Sequence, residues 1–226
     1  MEEIKKHDFI EIDYLAKIKG TNQIIDLTNE NVAKENHLYN PDSRYGPVII
    51  CIGENYLIKG LDKNLEGKKI GEYKFEVNTE DAFGRRDPKL IRVVNVNVFL
   101  KQKINPFPGL QVNMDGIIGT IRSVSGGRCI VDFNHPLAGR ELEYEVRVLR
   151  KVNDIREMVR SLLNFKFMLS DEHFEITENN KEVTIKFKFP EKIPDNILKE
   201  FEKKAKDLIP GIITLNFVHE KTTTGE

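Results

Sequence analysis

The sequence has no tryptophan, two cysteines, five histidines and a formal net charge of -1, and each scarcity excludes something. Cys51 and Cys129 sit in the apolar stretches VIICI and RCIVDF, which reads as two small buried thiols and not as a disulfide framework. His7, His37, His135, His173 and His219 are scattered without metal-ligand spacing, so no metal is expected, and surface positions are. No cofactor is expected either. A net charge near zero removes the strongest general argument for a nucleic-acid partner. No apolar run approaches the roughly 18 residues of a membrane span, so no membrane partner is expected. The start, MEEIKKHDF, is too charged for the apolar core of a signal peptide, and the reading is a cytoplasmic protein.

What is present is length and uneven charge. A chain of 226 residues is long enough for two or three folded units. Residues 87–131 hold six basic side chains (Lys89, Arg92, Lys101, Lys103, Arg122, Arg128) against Asp87 and Asp115, a local net of +4. Residues 153–226 hold 12 basic and 14 acidic side chains, a net of -2. A basic stretch inside a neutral chain marks a part with its own surface task. Glu, Lys and Ile are abundant, a bias associated with heat-adapted proteins.

From Ile10 to Ile18 apolar residues alternate with polar ones, broken only by Leu15, which predicts a half-buried strand. IIDLT is a second strand, residues 28–47 read as a loop with at most local structure, and VIICIG is a third strand. Leu57, Ile58, Leu61 and Leu65 recur at helical spacing before Gly67, predicting a helix. The sheet resumes with Tyr73, Phe75 and Val77 and runs into EDAFGRRDP. LIRVVNVNVF and the two apolar runs on either side of SGG read as all β. Leu142, Tyr144, Val146 and Val148 alternate in a strand that rejoins the first sheet. Beyond residue 153 the pattern changes to helix, hairpin, helix, strand, a small unit whose lone core is marginal. Such a unit gains by docking or pairing, and a homodimer through it is an expectation.

The stretch LIKGLDKNLEGKKIGEYKFEV with the EDAFG that follows resembles FKBP-type peptidyl-prolyl cis/trans isomerases, in which a helix of this form precedes a strand and an aromatic-glycine turn. Tyr14, the Ile25-Asp26 pair and Tyr144 in LEYEV stand in matching places, and FNHPLAG resembles the NHxLAG of the SlyD subclass. Several motifs in the right order carry far more weight than any one of them. The resemblance implies an α+β fold: an FKBP-like antiparallel sheet wrapped on a short helix (residues 1–86 and 132–152), a small all-β insert in the flap (87–131), and a C-terminal αββαβ domain (153–226).

It also implies a prolyl isomerase acting on unfolded or partly folded polypeptides, with chaperone activity from the added domains. The site residues carried over are Tyr14, Asp26, Leu57, Ile58, Leu61, Phe83 and Tyr144, with Val48, Ile50 and Leu137 binding substrate. In that reading Leu61 is the floor under the proline ring and the Ile58 N–H meets the substrate carbonyl. Asp26 either polarises the rotating amide or holds Tyr14. Taken singly, each residue has a plainer reading: strand aromatics and helical Leu and Ile are usually core, and a lone Asp is usually a turn acceptor. Two departures stand out. Phe83 replaces a common Tyr and loses its hydroxyl, and Val48 replaces a common Phe, which predicts weaker macrolide binding. The competing reading is a non-catalytic holdase or adaptor on the same fold. The chain ends VHEKTTTGE without a His-rich tail, so nickel binding is not carried over.

Overall fold

The structure, a computed structural model, describes residues 2–219; Met1 and the chain end on which the nickel reading rested lie outside the described residues. The chain divides into two compact units. One comprises residues 1–17, 21–75 and 143–226, the other residues 18–20 and 76–142.

The first unit is built on a sheet that begins with β1 (Phe9–Ile18) and β2 (Ile24–Leu27). The alternation in β1 is real, with Ile10, Ile12 and Ala16 fully buried. Leu15, the residue that broke the pattern, sits opposite Leu27 across the β1–β2 ladder, so the exception is a cross-strand apolar pair. After β2 comes a six-residue helix, α1 (Glu30–Glu35), capped by the Asn29 side chain, which accepts from the N–H groups of Asn31 and Val32. Then follow β3 (Val48–Cys51), α2 (Lys59–Leu65) and β4 (Gly71–Val77). The strand β9 (Leu142–Val152) returns between β1 and β4, giving the order β2-β1-β9-β4 with β3 also antiparallel to β1. As expected, Leu142, Tyr144, Val146 and Val148 are buried along it.

The helix predicted over Leu57, Ile58, Leu61 and Leu65 is shorter than its periodicity suggested. It starts at Lys59, so Leu57 and Ile58 lie in the loop before it and Ile58 is its extended N-cap. Leu57 and Ile58 are half-buried in the loop, while Leu61 and Leu65 on the helix are fully buried.

The C-terminal elements belong to this unit too. They run α4 (Ile155–Phe167), β10 (Phe174–Asn179), β11 (Glu182–Phe187), α5 (Asp195–Leu208) and β12 (Thr214–His219), the predicted order. Asp154 starts α4, accepting from the Arg156 and Glu157 N–H groups at 2.8 and 3.2 Å. β12 lies parallel to β11, which a crossover through α5 permits. One core joins Val159, Leu163, Phe187, Phe201 and Leu208 to Phe9, Cys51 and Val152, so the small C-terminal core is extended by docking within the chain. The Ser161 hydroxyl donates to the Ile49 carbonyl at 2.6 Å and ties α4 to β3.

The second unit carries β5 (Ile91–Asn95), α3 (Val96–Lys101), β6 (Gln111–Met114), β7 (Ile117–Ser125) and β8 (Arg128–Asp132) in a four-stranded antiparallel sheet of order β5-β8-β7-β6. The all-β expectation needs correction here. NVNVF alternates like a strand, yet residues 96–101 are helical, because the Asn95 side chain caps the turn and Phe99 is carried into a five-residue core with Val112, Ile121, Cys129 and Val131. Gly119 is required by close approach: a Cβ there would lie 2.7 Å from the Phe133 ring.

The two crossings into and out of this sheet are pinned together. Asp87 N–H donates to the Asn134 side chain at 2.8 Å, Asn134 donates back to the Asp87 carbonyl at 3.0 Å, and Phe133 N–H donates to the Leu90 carbonyl at 2.9 Å. The buried Asp132 carboxylate lies between Arg86 and Arg122.

Candidate active site

In the first unit, β1 and β2 place Tyr14 beside Asp26. The Tyr14 hydroxyl donates to Asp26 Oδ2 at 2.8 Å, while Asp26 Oδ1 accepts from the Leu27 N–H at 2.9 Å. Both carboxylate oxygens are therefore engaged, and of the two roles left open for Asp26 the one visible in the geometry is holding Tyr14. The main chain of Tyr14 is fixed as well. Its N–H donates to Thr28 Oγ1 at 2.9 Å, and its carbonyl accepts from the Thr28 N–H at 3.0 Å. Thr28 is buried and its hydroxyl donates to Asp13; nothing in DLTNE singled it out as a site residue.

Tyr144, buried on β9, sets its ring 6.1 Å from that of Tyr14 at 40°. Burial first, then the Asp26 charge and hydrogen bond, pushes the Tyr14 hydroxyl far above its ordinary pKa. Tyr144 is raised in the same direction, again mainly by burial. Two neutral phenols, Tyr14 half-buried and Tyr144 buried, can donate hydrogen bonds and pack, but they cannot act as acids or bases near neutral pH.

The loop of residues 53–58 supplies the opposite kind of group. Asn55 has a left-handed backbone (φ 53°), and the buried carboxylate of Asp62 in α2 accepts from the Gly53 and Asn55 N–H groups at 3.0 and 2.9 Å. Burial raises the Asp62 pKa against the lowering effect of those two donors, and its Oδ1 has no partner among the described residues. The loop thereby delivers Leu57 and Ile58 half-buried at the start of α2, and among the described residues the Ile58 N–H has no acceptor. A free N–H at a helix start is a ready donor to a carbonyl oxygen.

Of the other residues carried over, Val48 is half-buried, whereas Ile50 and Leu61 are fully buried. Asp26 lines a cavity of about 410 Å³ with Ile25, Leu27, Arg44 and Tyr45. Tyr14 lines a groove of about 460 Å³ with Thr28 and Tyr73. Arg44 and Tyr45, like Thr28, come from the stretch read as plain loop.

Phe83 and Leu137 belong to the second unit. Phe83 follows a one-turn 3-10 helix (Thr79–Asp81) and is held by its neighbour: Gly84, at φ 75°, donates its N–H to the Thr79 carbonyl at 2.7 Å and accepts from the Gly139 N–H at 2.8 Å. The Phe83 ring lies flat on His135, centroids 4.2 Å apart. His135 is exposed, as expected, and its Nδ1 accepts from the Leu137 N–H at 3.2 Å. His173 and His219 depart from the surface reading, being half-buried against Phe189 and Phe187. Both cysteines are buried, and burial pushes the Cys51 thiol up to about 12. Among the described residues no group of side chains has the makings of a metal site, and no helix is long and apolar enough to cross a membrane.

Comparison with known proteins agrees with these motifs. A family model described as FKBP26, IF domain, matches residues 92–137. The short-type peptidyl-prolyl cis-trans isomerase of Methanocaldococcus jannaschii is 34% identical over 146 residues, covering 64% of this chain and 92% of that protein. The FKBP-type 16 kDa peptidyl-prolyl cis-trans isomerase of Escherichia coli K12 is 32% identical over 108 residues, 46% of this chain and 72% of that protein. The FKBP-type peptidyl-prolyl cis-trans isomerase SlyD of Haemophilus influenzae is 36% identical over 110 residues, 46% of this chain and 56% of that protein. The chain belongs to the FKBP-type peptidyl-prolyl cis-trans isomerase family.

Proposed function

We propose that this chain isomerises prolyl bonds of unfolded and partly folded polypeptides on the surface formed by Tyr14, Asp26, Val48, Leu57 and Ile58, with Ile50, Leu61 and Tyr144 as its backing. The observation that carries the reading is the commitment of the Tyr14 hydroxyl to Asp26 beside the buried Tyr144. These residues provide no free nucleophile and no proton shuttle, which suits a reaction in which no bond is made or broken.

The barrier to rotation about the peptide bond is roughly 18–20 kcal/mol, and each tenfold of rate needs about 1.4 kcal/mol. The twisted transition state has lost amide resonance and is less charge-separated than the planar amide. A dry wall of aromatic and aliphatic side chains therefore favours it relative to water. The Ile58 N–H orients the substrate through a carbonyl oxygen, and Asp26 keeps Tyr14 in position. Phe83 and Leu137 are assigned to substrate contact by their match to the family motif.

The same proposal divides the chain into an isomerase domain (1–86 and 132–152), an inserted domain (87–131) and a C-terminal domain (153–226), located in the cytoplasm. The inserted sheet is given the task of holding clients. Val93, Ile117 and Ile118 are exposed on its strands and Phe107 on the loop before β6, β5 and β6 are its edges, and the span is net +4. Exposed apolar surface beside an open edge suits an extended unfolded chain that adds as a strand. A homodimer through the C-terminal elements remains part of the proposal.

The experiment compares the full chain with a chain lacking residues 87–131 on two substrates. Isomerisation of a proline tetrapeptide stays within about twofold, while catalysis of a proline-limited refolding reaction slows by about an order of magnitude or more, because tethering raises the local client concentration. Equal refolding rates would remove the insert from the function. Tetrapeptide rates no faster than the uncatalysed reaction, with unfolded protein still bound, would favour the holdase.

A further inference from the structure

The loop of residues 53–58 is held from two sides. On the inner side stands the Asp62 carboxylate. On the outer side the Tyr56 ring is stacked on Phe165 of α4, centroids 4.4 Å apart and 13° from parallel, and the Glu54 carboxylate lies 2.6 Å from the Lys204 ammonium of α5. Neither Phe165 nor Lys204 belongs to the buried core of the C-terminal elements, which is made by Val159, Leu162, Leu163, Phe201, Ala205 and Leu208. The docking of α4 on β3 has its own bond, from Ser161 to Ile49. The two contacts are thus spent on the loop.

We infer that the C-terminal helices are part of the catalytic apparatus: Phe165 and Lys204 are positioning residues that brace the loop presenting Leu57 and the Ile58 N–H to the substrate. The inference rests on the proposed site. An irregular loop whose main-chain N–H groups are bonded at Gly53, Asn55 and, at a long 3.3 Å, Glu54 samples displaced positions, and the side-chain contacts of Glu54 and Tyr56 narrow that ensemble. Misplacing a donor by a fraction of an ångström is enough to cost rate without any loss of fold.

The test uses the full chain with Phe165→Ala, Lys204→Gln and the pair, measuring tetrapeptide isomerisation, the thermal midpoint and amide hydrogen exchange at residues 53–58. Lys204→Gln changes only a half-exposed side chain and serves if Phe165→Ala fails to fold. For the pair, kcat/KM falls about tenfold, with exchange at residues 53–58 faster by about the same factor and the β1–β9 amides unchanged. Phe165→Tyr and Lys204→Arg restore both readouts. Unchanged kcat/KM in a folded pair, or exchange that quickens evenly over the whole chain, overturns the inference. If the unaltered chain fails to isomerise the peptide, the fault lies with the proposed function, and exchange alone then decides the brace: no change at residues 53–58 overturns it.

Discussion

In the C-terminal sheet Val183, Ile185 and Phe187 are fully buried, whereas in the inserted sheet Val93 and Ile118 are 65% and 64% exposed. Both sheets are small, antiparallel in whole or part, and rich in branched apolar residues. The difference lies in what covers them. Helices of 13 and 14 residues flank the C-terminal strands, each about 20 Å long and long enough to cross three strands. The inserted sheet has one six-residue helix, which buries Phe99 in its core and packs Val96 partly buried against it. Val93 and Ile130 face each other across β5 and β8 and remain in contact with solvent. An apolar cross-strand pair left uncovered adds little to folding.

The comparison can be broken by substituting similar residues in the two sheets. Phe187→Ala, in the covered sheet, lowers stability by about 3–5 kcal/mol. Val93→Ala, in the uncovered one, stays within about 0.5 kcal/mol. Urea unfolding of both variants checks this, and a loss of equal size would mean that the inserted sheet is covered in solution.

Next in size is Asp132, which stands at the neck of the inserted sheet. Burial pushes its pKa up, but hydrogen bonds from Asn134 and Arg122 and the charge of Arg86 outweigh burial and hold it below the usual carboxylate range. A carboxyl depressed by folding stabilises the fold above its unfolded pKa, about 4, and that contribution disappears as pH falls through the depressed value. Asp132→Asn therefore lowers stability by about 1–3 kcal/mol at neutral pH. The difference from the unaltered protein shrinks below about pH 4. A gap that stays constant from neutral pH down to well below the carboxylate range would show that the charge is not what matters.

The smallest effects test two of the three aromatic residues proposed for the site. Tyr14→Phe releases Asp26 and lowers kcat/KM several-fold, the worth of a hydrogen bond of about 0.5–1.5 kcal/mol. Phe83→Tyr adds a hydroxyl and raises peptide turnover or macrolide affinity by no more than a similar factor. If the second change moves neither rate nor affinity, Phe83 does not touch substrate.

Much of the fold is legible in the order of the residues. Alternation locates β1 and β9, helical spacing locates α4 and α5, and the order of LIKGL, AFG and NHPLAG points to the family. Two segments mislead. Leu57 and Ile58 continue a helical spacing into a loop, because half-buried positions favour apolar side chains whatever the backbone does. NVNVF alternates as a strand would, yet a capping asparagine and one buried Phe turn it into a helix. The brace on the loop has no sequence signal at all. Phe165 and Lys204 are more than 100 residues from Tyr56 and Glu54, and no local pattern links them.

The sequence by itself determined the alternation of β1 and β9, the helical spacing of α4 and α5, the turn at Gly84 and the family. Each of these depends on a few neighbouring residues, whose side-chain chemistry and backbone sterics act within one turn. Only the tertiary structure decided that Asp26 holds Tyr14, that Asp62 holds the loop before α2, that the C-terminal core closes on Phe9 and Cys51, and that one apolar sheet is covered and the other bare. Those outcomes depend on which distant surfaces meet, and burial is a property of the pair of surfaces, not of either alone.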